Sequence, residues 1–153
     1  MMRQLIIVRK DLEMSAGKMA AQASHASNAF LMHMIKTAGT AHRESLDIDG
    51  EGWYELSMTI PEDIYDGWFN DIFTKTICEA KNKNQLMTAV TLAEGQGLRE
   101  NEDFFLIKDN CLTELEPEEI GEDGIGRTLT CIGFRPLPDD IAHAISRKYQ
   151  LYK

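Results

Sequence analysis

The stretch QLIIVRK, residues 4–10, limits the fold more than any other part of the chain. It is short, almost wholly apolar and rich in β-branched residues, so it reads as a buried strand. Asp11–Met14 then makes a loop, and an alanine-rich helix follows from about residue 16 to 35. The succession recurs. KTICEAK, residues 75–81, is a second core strand, and NKNQLMTAVTLAEGQG supplies an asparagine cap, an amphipathic helix and glycine stops. DFFLIKDN (103–110) and TLTCIGF (128–134) are two further strands, and PLPDDIAHAISRKY closes the chain as a helix. This order predicts a layered α/β domain whose first three strands run parallel, with the fourth returning antiparallel beside the third.

Residues 37–52, TAGTAHRESLDIDGEG, carry no clear periodicity and are expected to form a surface connection. WYELSMTI (53–60) reads as a short strand, and Pro61 with Glu62 and Asp63 opens a short helix bearing Ile64, Trp68 and Phe69. Trp53, Trp68 and Phe69 suit core or lid packing better than a base-stacking platform. With 153 residues and 43% hydrophobic content, one domain spanning 1–153 is expected.

Three cysteines at unrelated spacings give neither a disulfide framework nor a zinc pattern, and His33, His42 and His143 add no metal spacing. The expectation is a cytoplasmic protein without metal or cofactor. The N-terminus has no apolar stretch long enough for a signal peptide or membrane span. A formal charge of −9 repels phosphates, so a nucleic-acid partner would have to be met by a local basic spot.

The helix start MSAGKMAAQASHA (14–26) obeys some local rules and breaks others. Ser15 is a good N-cap, and Met14 and Met19 stand at the positions of a hydrophobic staple. Gly17 and Lys18 then break the rules, since a first-turn glycine costs about 1 kcal/mol and a first-turn cation opposes the helix dipole. Measured from Lys18 around the helix, Gln22 falls at about 40° and His25 at about 340°, so the three make one polar stripe beside the apolar face. Gly17 leaves first-turn N–H groups open to an anion. At the carboxyl end of the third strand stands Asp109, with Thr113 four residues on, while Thr128 and Thr130 alternate along the last strand. If the strands run as expected, all of these meet at one sheet edge, where open α/β sheets hold ligands.

These residues also carry a resemblance. VRKDLEMSAGKMAAQASHA is similar to the N-terminal signature of type II peptidyl-tRNA hydrolases at Arg9, Asp11, Leu12, Met14, Gly17, Lys18, Ala20, Ala21, Gln22, His25 and Ala26. FFLIKDNCLTEL, with Asp109 and Thr113, and TLTCIGFRPLPDDI, followed by a terminal YQLYK, resemble the family in the same order. The resemblance covers most of residues 3–36 and 74–153; residues 37–73 look like an atypical insertion. Glu13, Ala16, Asn110, Cys111 and Arg135 depart from the family pattern, and Cys111 stands where a glycine is usual.

The resemblance implies a three-layer α/β/α fold with a four-stranded mixed sheet, and a metal-independent hydrolase of the ester joining a peptide to tRNA. It implies a catalytic set of Lys18, Asp109, Thr113, His25 and Gln22, with Arg9, Lys10, Gly17 and Thr130 on the substrate side and the 3′ end of peptidyl-tRNA as partner. Two alternatives stay open: a noncatalytic module binding an anionic ligand or a protein, and a hydrolase using Cys111 with His25 as its base. The oligomeric state is left open, a homodimer included.

Overall fold

The computed structural model describes residues 1–153. Its centre is strand β1 (Met2–Arg9), in which every residue from Gln4 to Arg9 is buried. On one side β1 pairs in parallel with β4 (Lys75–Ala80), and on the other it pairs antiparallel with the long β7 (Gly126–Pro138). β5 (Phe104–Asp109) lies antiparallel on the far side of β7. The expected common direction of the first three strands therefore holds, and the fourth returns antiparallel beside the third as expected, its other edge pairing with the first.

Residues alternate across β1 as a buried strand requires. Leu5 and Ile7 join a core with Leu86, Ala89, Val90 and Ala93 of helix α3 (Lys83–Gly95) and Ala142 and Ile145 of α4 (Asp139–Ser146). Ile6 and Val8 face the other way, with Cys131, Met14 and Ala26 of α1 (Ala16–Ala41). Side chains on both faces of this strand leave water, which is why it reads as a nearly continuous apolar run.

The sheet has six strands, not the expected four. The two additions are the two-residue strands β6 (Glu119–Ile120), on β7, and β8 (Gln150–Leu151), on β4. Strands that short have no periodicity to read. The other correction falls on residues 37–56. α1 continues to Ala41 and β2 (Arg43–Ile48) forms where a loop was expected; β2 pairs antiparallel with β3 (Glu51–Leu56), which falls on the strand expected at 53–60 but starts and ends earlier, to make a separate hairpin. Its two-residue turn is Asp49–Gly50, both at positive φ, the backbone form that matches strand twist. The short helix expected after Pro61 is present as α2 (Glu62–Ile64), continued by a π-helical turn at Tyr65–Phe69. No helix is long and apolar enough to cross a membrane.

What places the functional edge is the seat of α1 on the sheet. A Cβ on Gly133 of β7 would stand 2.7 Å from the carbonyl carbon of Ala26 and closer still to its oxygen. The helix backbone thus rests on strand backbone with no side chain between. Gly133→Ala is expected to lower unfolding free energy by about 1–3 kcal/mol, since main-chain atoms cannot swing aside. Gly95→Ala, where the added Cβ meets nothing within 4 Å, should leave stability unchanged or slightly raised. Urea unfolding of the two variants checks the pair.

Candidate active site

Three elements converge at the edge where β5 ends. From α1 come Lys18, Gln22 and His25, the stripe set by helical spacing; from β5 comes Asp109, its last residue; from the turn beyond comes Thr113. They line an open cleft of about 450 Å³, with Ile107 and Leu112 as its apolar members. That volume suits a small-molecule-sized group rather than a folded polymer.

The polar contacts form a chain. The Lys18 ammonium lies 2.7 Å from Asp109 Oδ2 and donates to Thr113 Oγ1 at 3.1 Å. The Gln22 side-chain NH₂ donates to the same Asp109 oxygen at 2.8 Å. Behind it, the Thr130 hydroxyl donates to Gln22 Oε1 at 2.6 Å, which fixes the amide so that its nitrogen faces Asp109. The other Asp109 oxygen accepts the Cys111 backbone N–H at 2.9 Å.

Thr130 reaches Gln22 because the β5–β7 ladder is irregular there. Ile107 pairs with Cys131 and Lys108 with Leu129, so Thr130 is the extra residue of a β-bulge. Bulges re-aim side chains beside functional sites, and this one turns a buried hydroxyl onto α1. Gln22 is 2% exposed and Thr130 is fully buried. Sealed polar groups of this kind have to be hydrogen-bonded, and here both are.

Burial by itself would push the Asp109 carboxyl up; the hydrogen bond and charge of Lys18, with the Cys111 N–H and the Gln22 amide, outweigh it and hold the carboxyl below its ordinary value. Asp109 is therefore a carboxylate across the neutral range and a weak base, better suited to gripping an ammonium than to taking a proton.

The start of α1 holds a residue that the sequence did not flag. Glu114 accepts the Ser15 backbone N–H at 2.8 Å and the Ser15 hydroxyl at 2.6 Å, while Ser15 Oγ caps the Lys18 N–H at 3.3 Å. The two Ser15 donors draw the Glu114 carboxyl below its usual range. Only contact across 99 residues reveals this pairing, and no local motif announces it.

The remaining expected residues are placed as follows. His25 stands exposed on the cleft wall. Gly17 is exposed, with open space where a Cβ would go. Arg9 is 3% exposed and committed to Asp11, Glu118 and the Leu129 carbonyl, so its charge does not face the cleft. Lys10 lies over the Tyr152 ring, 3.4 Å from Glu79 and bonded to the terminal residue, in a separate hollow. Thr130 sits behind Gln22, out of reach of a ligand. The local basic spot that a nucleic-acid partner would need falls at Arg9, Lys10 and Lys18, and there each cation is matched to a carboxylate. Cys111 adopts φ +55°, the left-handed form that glycine takes freely. Its sulfur turns to the Asp109 carbonyl at 3.5 Å, and Cys111 does not line the cleft, so the turn offers no nucleophile there.

The family model described as "Peptidyl-tRNA hydrolase PTH2" matches residues 2–152. A peptidyl-tRNA hydrolase of Methanopyrus kandleri is 33% identical over 89% of this chain and 85% of its own length. Those of Thermococcus sibiricus and Thermoplasma acidophilum are 28% and 26% identical, each over 97% of this chain and 96% and 97% of their own.

The grip on Asp109 has a measurable consequence. In Lys18→Met the Asp109 carboxyl should titrate at higher pH than in the parent protein, and in Gln22→Leu the rise should be smaller; side-chain carboxyl NMR follows both. Because the folded carboxyl is depressed, the stability it supplies is complete above the ordinary aspartate value of 3.8 and is lost as pH falls through the lower folded one. The parent should therefore lose more stability than Lys18→Met over that acid window.

Proposed function

The chain belongs to the peptidyl-tRNA hydrolase PTH2 family, and on that premise we propose that the Lys18–Asp109 cleft hydrolyses the ester between a peptide and the terminal ribose of tRNA. One observation carries this reading: an ammonium fixed by a carboxylate and a hydroxyl at the wall of an open cleft. Ester hydrolysis passes through a tetrahedral intermediate whose oxygen carries negative charge, and it needs donors already in place. Two of the three Lys18 protons are held by Asp109 and Thr113, which leaves one aimed by those contacts for the developing oxyanion.

The bond bookkeeping is that of any ester hydrolysis. Water oxygen bonds to the carbonyl carbon, the carbon–ribose oxygen bond breaks, and the proton given up by water ends on the leaving ribose oxygen. His25, an imidazole on the same wall, is the group placed to carry that proton. Asp109, held ionised, keeps Lys18 in register, and Gln22 with Thr130 keeps Asp109 in place. Catalysis is thus assigned to Lys18, Asp109, Thr113 and His25, with Gln22 and Thr130 as positioning residues.

The same reading includes a three-layer arrangement, supported by α1 on the Ile6/Val8 face and α3 with α4 on the Leu5/Ile7 face. It treats the chain as one domain, with residues 37–73 as an addition to it. A noncatalytic anion- or protein-binding module on this fold is favoured by one fact, the pairing of Arg9, Lys10 and Lys18 with carboxylates.

Release of amino acid from N-acetyl-aminoacyl-tRNA separates the two. Lys18→Ala and Asp109→Asn are expected to lower kcat/KM about 10²–10³-fold, the usual loss when an oxyanion donor goes. A parent protein that releases nothing would favour the binding module; an active parent with variants equally fast would overturn the assignment of the chemistry to this cleft.

A further inference from the structure

Leu112 is 85% exposed on the lip of the cleft, between Cys111 and Thr113. Scattered surface leucines need no explanation, but the surroundings of this one are unusual. Every neighbour is tied down. Asp109 holds the Cys111 N–H, Thr113 holds Lys18, Glu114 holds Ser15 twice, and Leu115 is buried in the core. The turn therefore shows a leucine to solvent in a fixed place, one residue from the groups assigned to the oxyanion.

The other apolar residue lining the cleft is Ile107, half-buried; the remaining seven are polar or charged. The cleft thus offers polar groups for the ester and two aliphatic side chains besides. A substrate ester has two neighbours to place there, the adenine of the terminal nucleoside and the side chain of the esterified amino acid. Bases are seated on aromatic faces or guanidinium planes, and beyond the imidazole of His25 the cleft wall offers neither. Two aliphatic side chains complement an aliphatic or aromatic amino-acid side chain instead.

Resting on the hydrolase reading above, we propose that Leu112, backed by Ile107, contacts the side chain of the esterified amino acid and gives the enzyme a preference for peptides ending in apolar residues. Leu112 is in this view a specificity residue. It touches substrate but moves no proton.

The experiment uses one tRNA body charged with N-acetylated leucine, phenylalanine, glycine or aspartate, so that only the acyl side chain varies. The parent protein should show kcat/KM about tenfold higher for leucine than for aspartate, the scale at which an apolar contact discriminates. Leu112→Ser should collapse the leucine-to-glycine and leucine-to-aspartate ratios toward one, and Leu112→Met should restore them. Lys18→Ala should slow every substrate by a similar factor and leave the ratios alone. Ratios unchanged in Leu112→Ser, or a uniform loss across all four substrates, overturn the side-chain contact while leaving the hydrolase reading intact. A parent protein inert toward all four overturns both.

Discussion

The bare backbone of Gly133 under the Ala26 carbonyl sets the distance between helix and sheet, and the site inherits that distance. A side chain at 133 would collide with the Ala26 main chain and push α1 outward. With the helix seated, Gln22 lies one turn back toward its start and meets the bulged Thr130; Lys18 lies one further turn back and meets the end of β5. Each turn advances about 5.4 Å, so the three contacts are rungs of one register. A packing choice in the core thereby fixes an electrostatic contact at the surface.

The rule-breaking start of α1 finds its explanation here. The first turn has no acidic residue and carries a cation, the wrong sign for the positive end of a helix. Glu114 supplies the missing negative charge from another part of the chain, on the Ser15 N–H and hydroxyl. Position 18 is thus free to hold a lysine for Asp109. The same contact corrects the simplest reading of Gly17 as an opening for phosphate, because a carboxylate of the protein already sits at the cap. Local consistency is given up at one residue and restored through the tertiary structure, as happens where function and folding compete for a position.

Legibility follows range. The stripe Lys18, Gln22, His25 depends only on helical period, and the position of Asp109 only on where an apolar run stops; both stand in the sequence. The bulge at Thr130 depends on a pairing with β5, Glu114 on a contact with Ser15, and the burial of Arg9 on Asp11 and Glu118 closing over it. None of these has a local pattern, and so an arginine that reads as substrate-facing turns out to tie the loop after β1 to the acidic segment before β7. The β2–β3 hairpin failed to stand out for a different reason. Both strands are almost wholly exposed, so no buried face imposes alternation; the second could be read at 53–60, but the first, and so the pairing, could not.

The charge balance bears on how such a protein meets its substrate. A net −9 surface whose cations near the site are paired cannot draw in a nucleic acid by its field. Affinity through many phosphate contacts would need a row of free lysines and arginines along the edge, and the edge shows Lys18 held by Asp109, Lys108 by Glu119 and Arg127 by Asp123. Discrimination then has to come from short-range fit at the ester and its immediate neighbours. On that footing the aliphatic lip of the cleft matters more than it would in a basic enzyme, because recognition rests on the joint more than on the charge of the polymer.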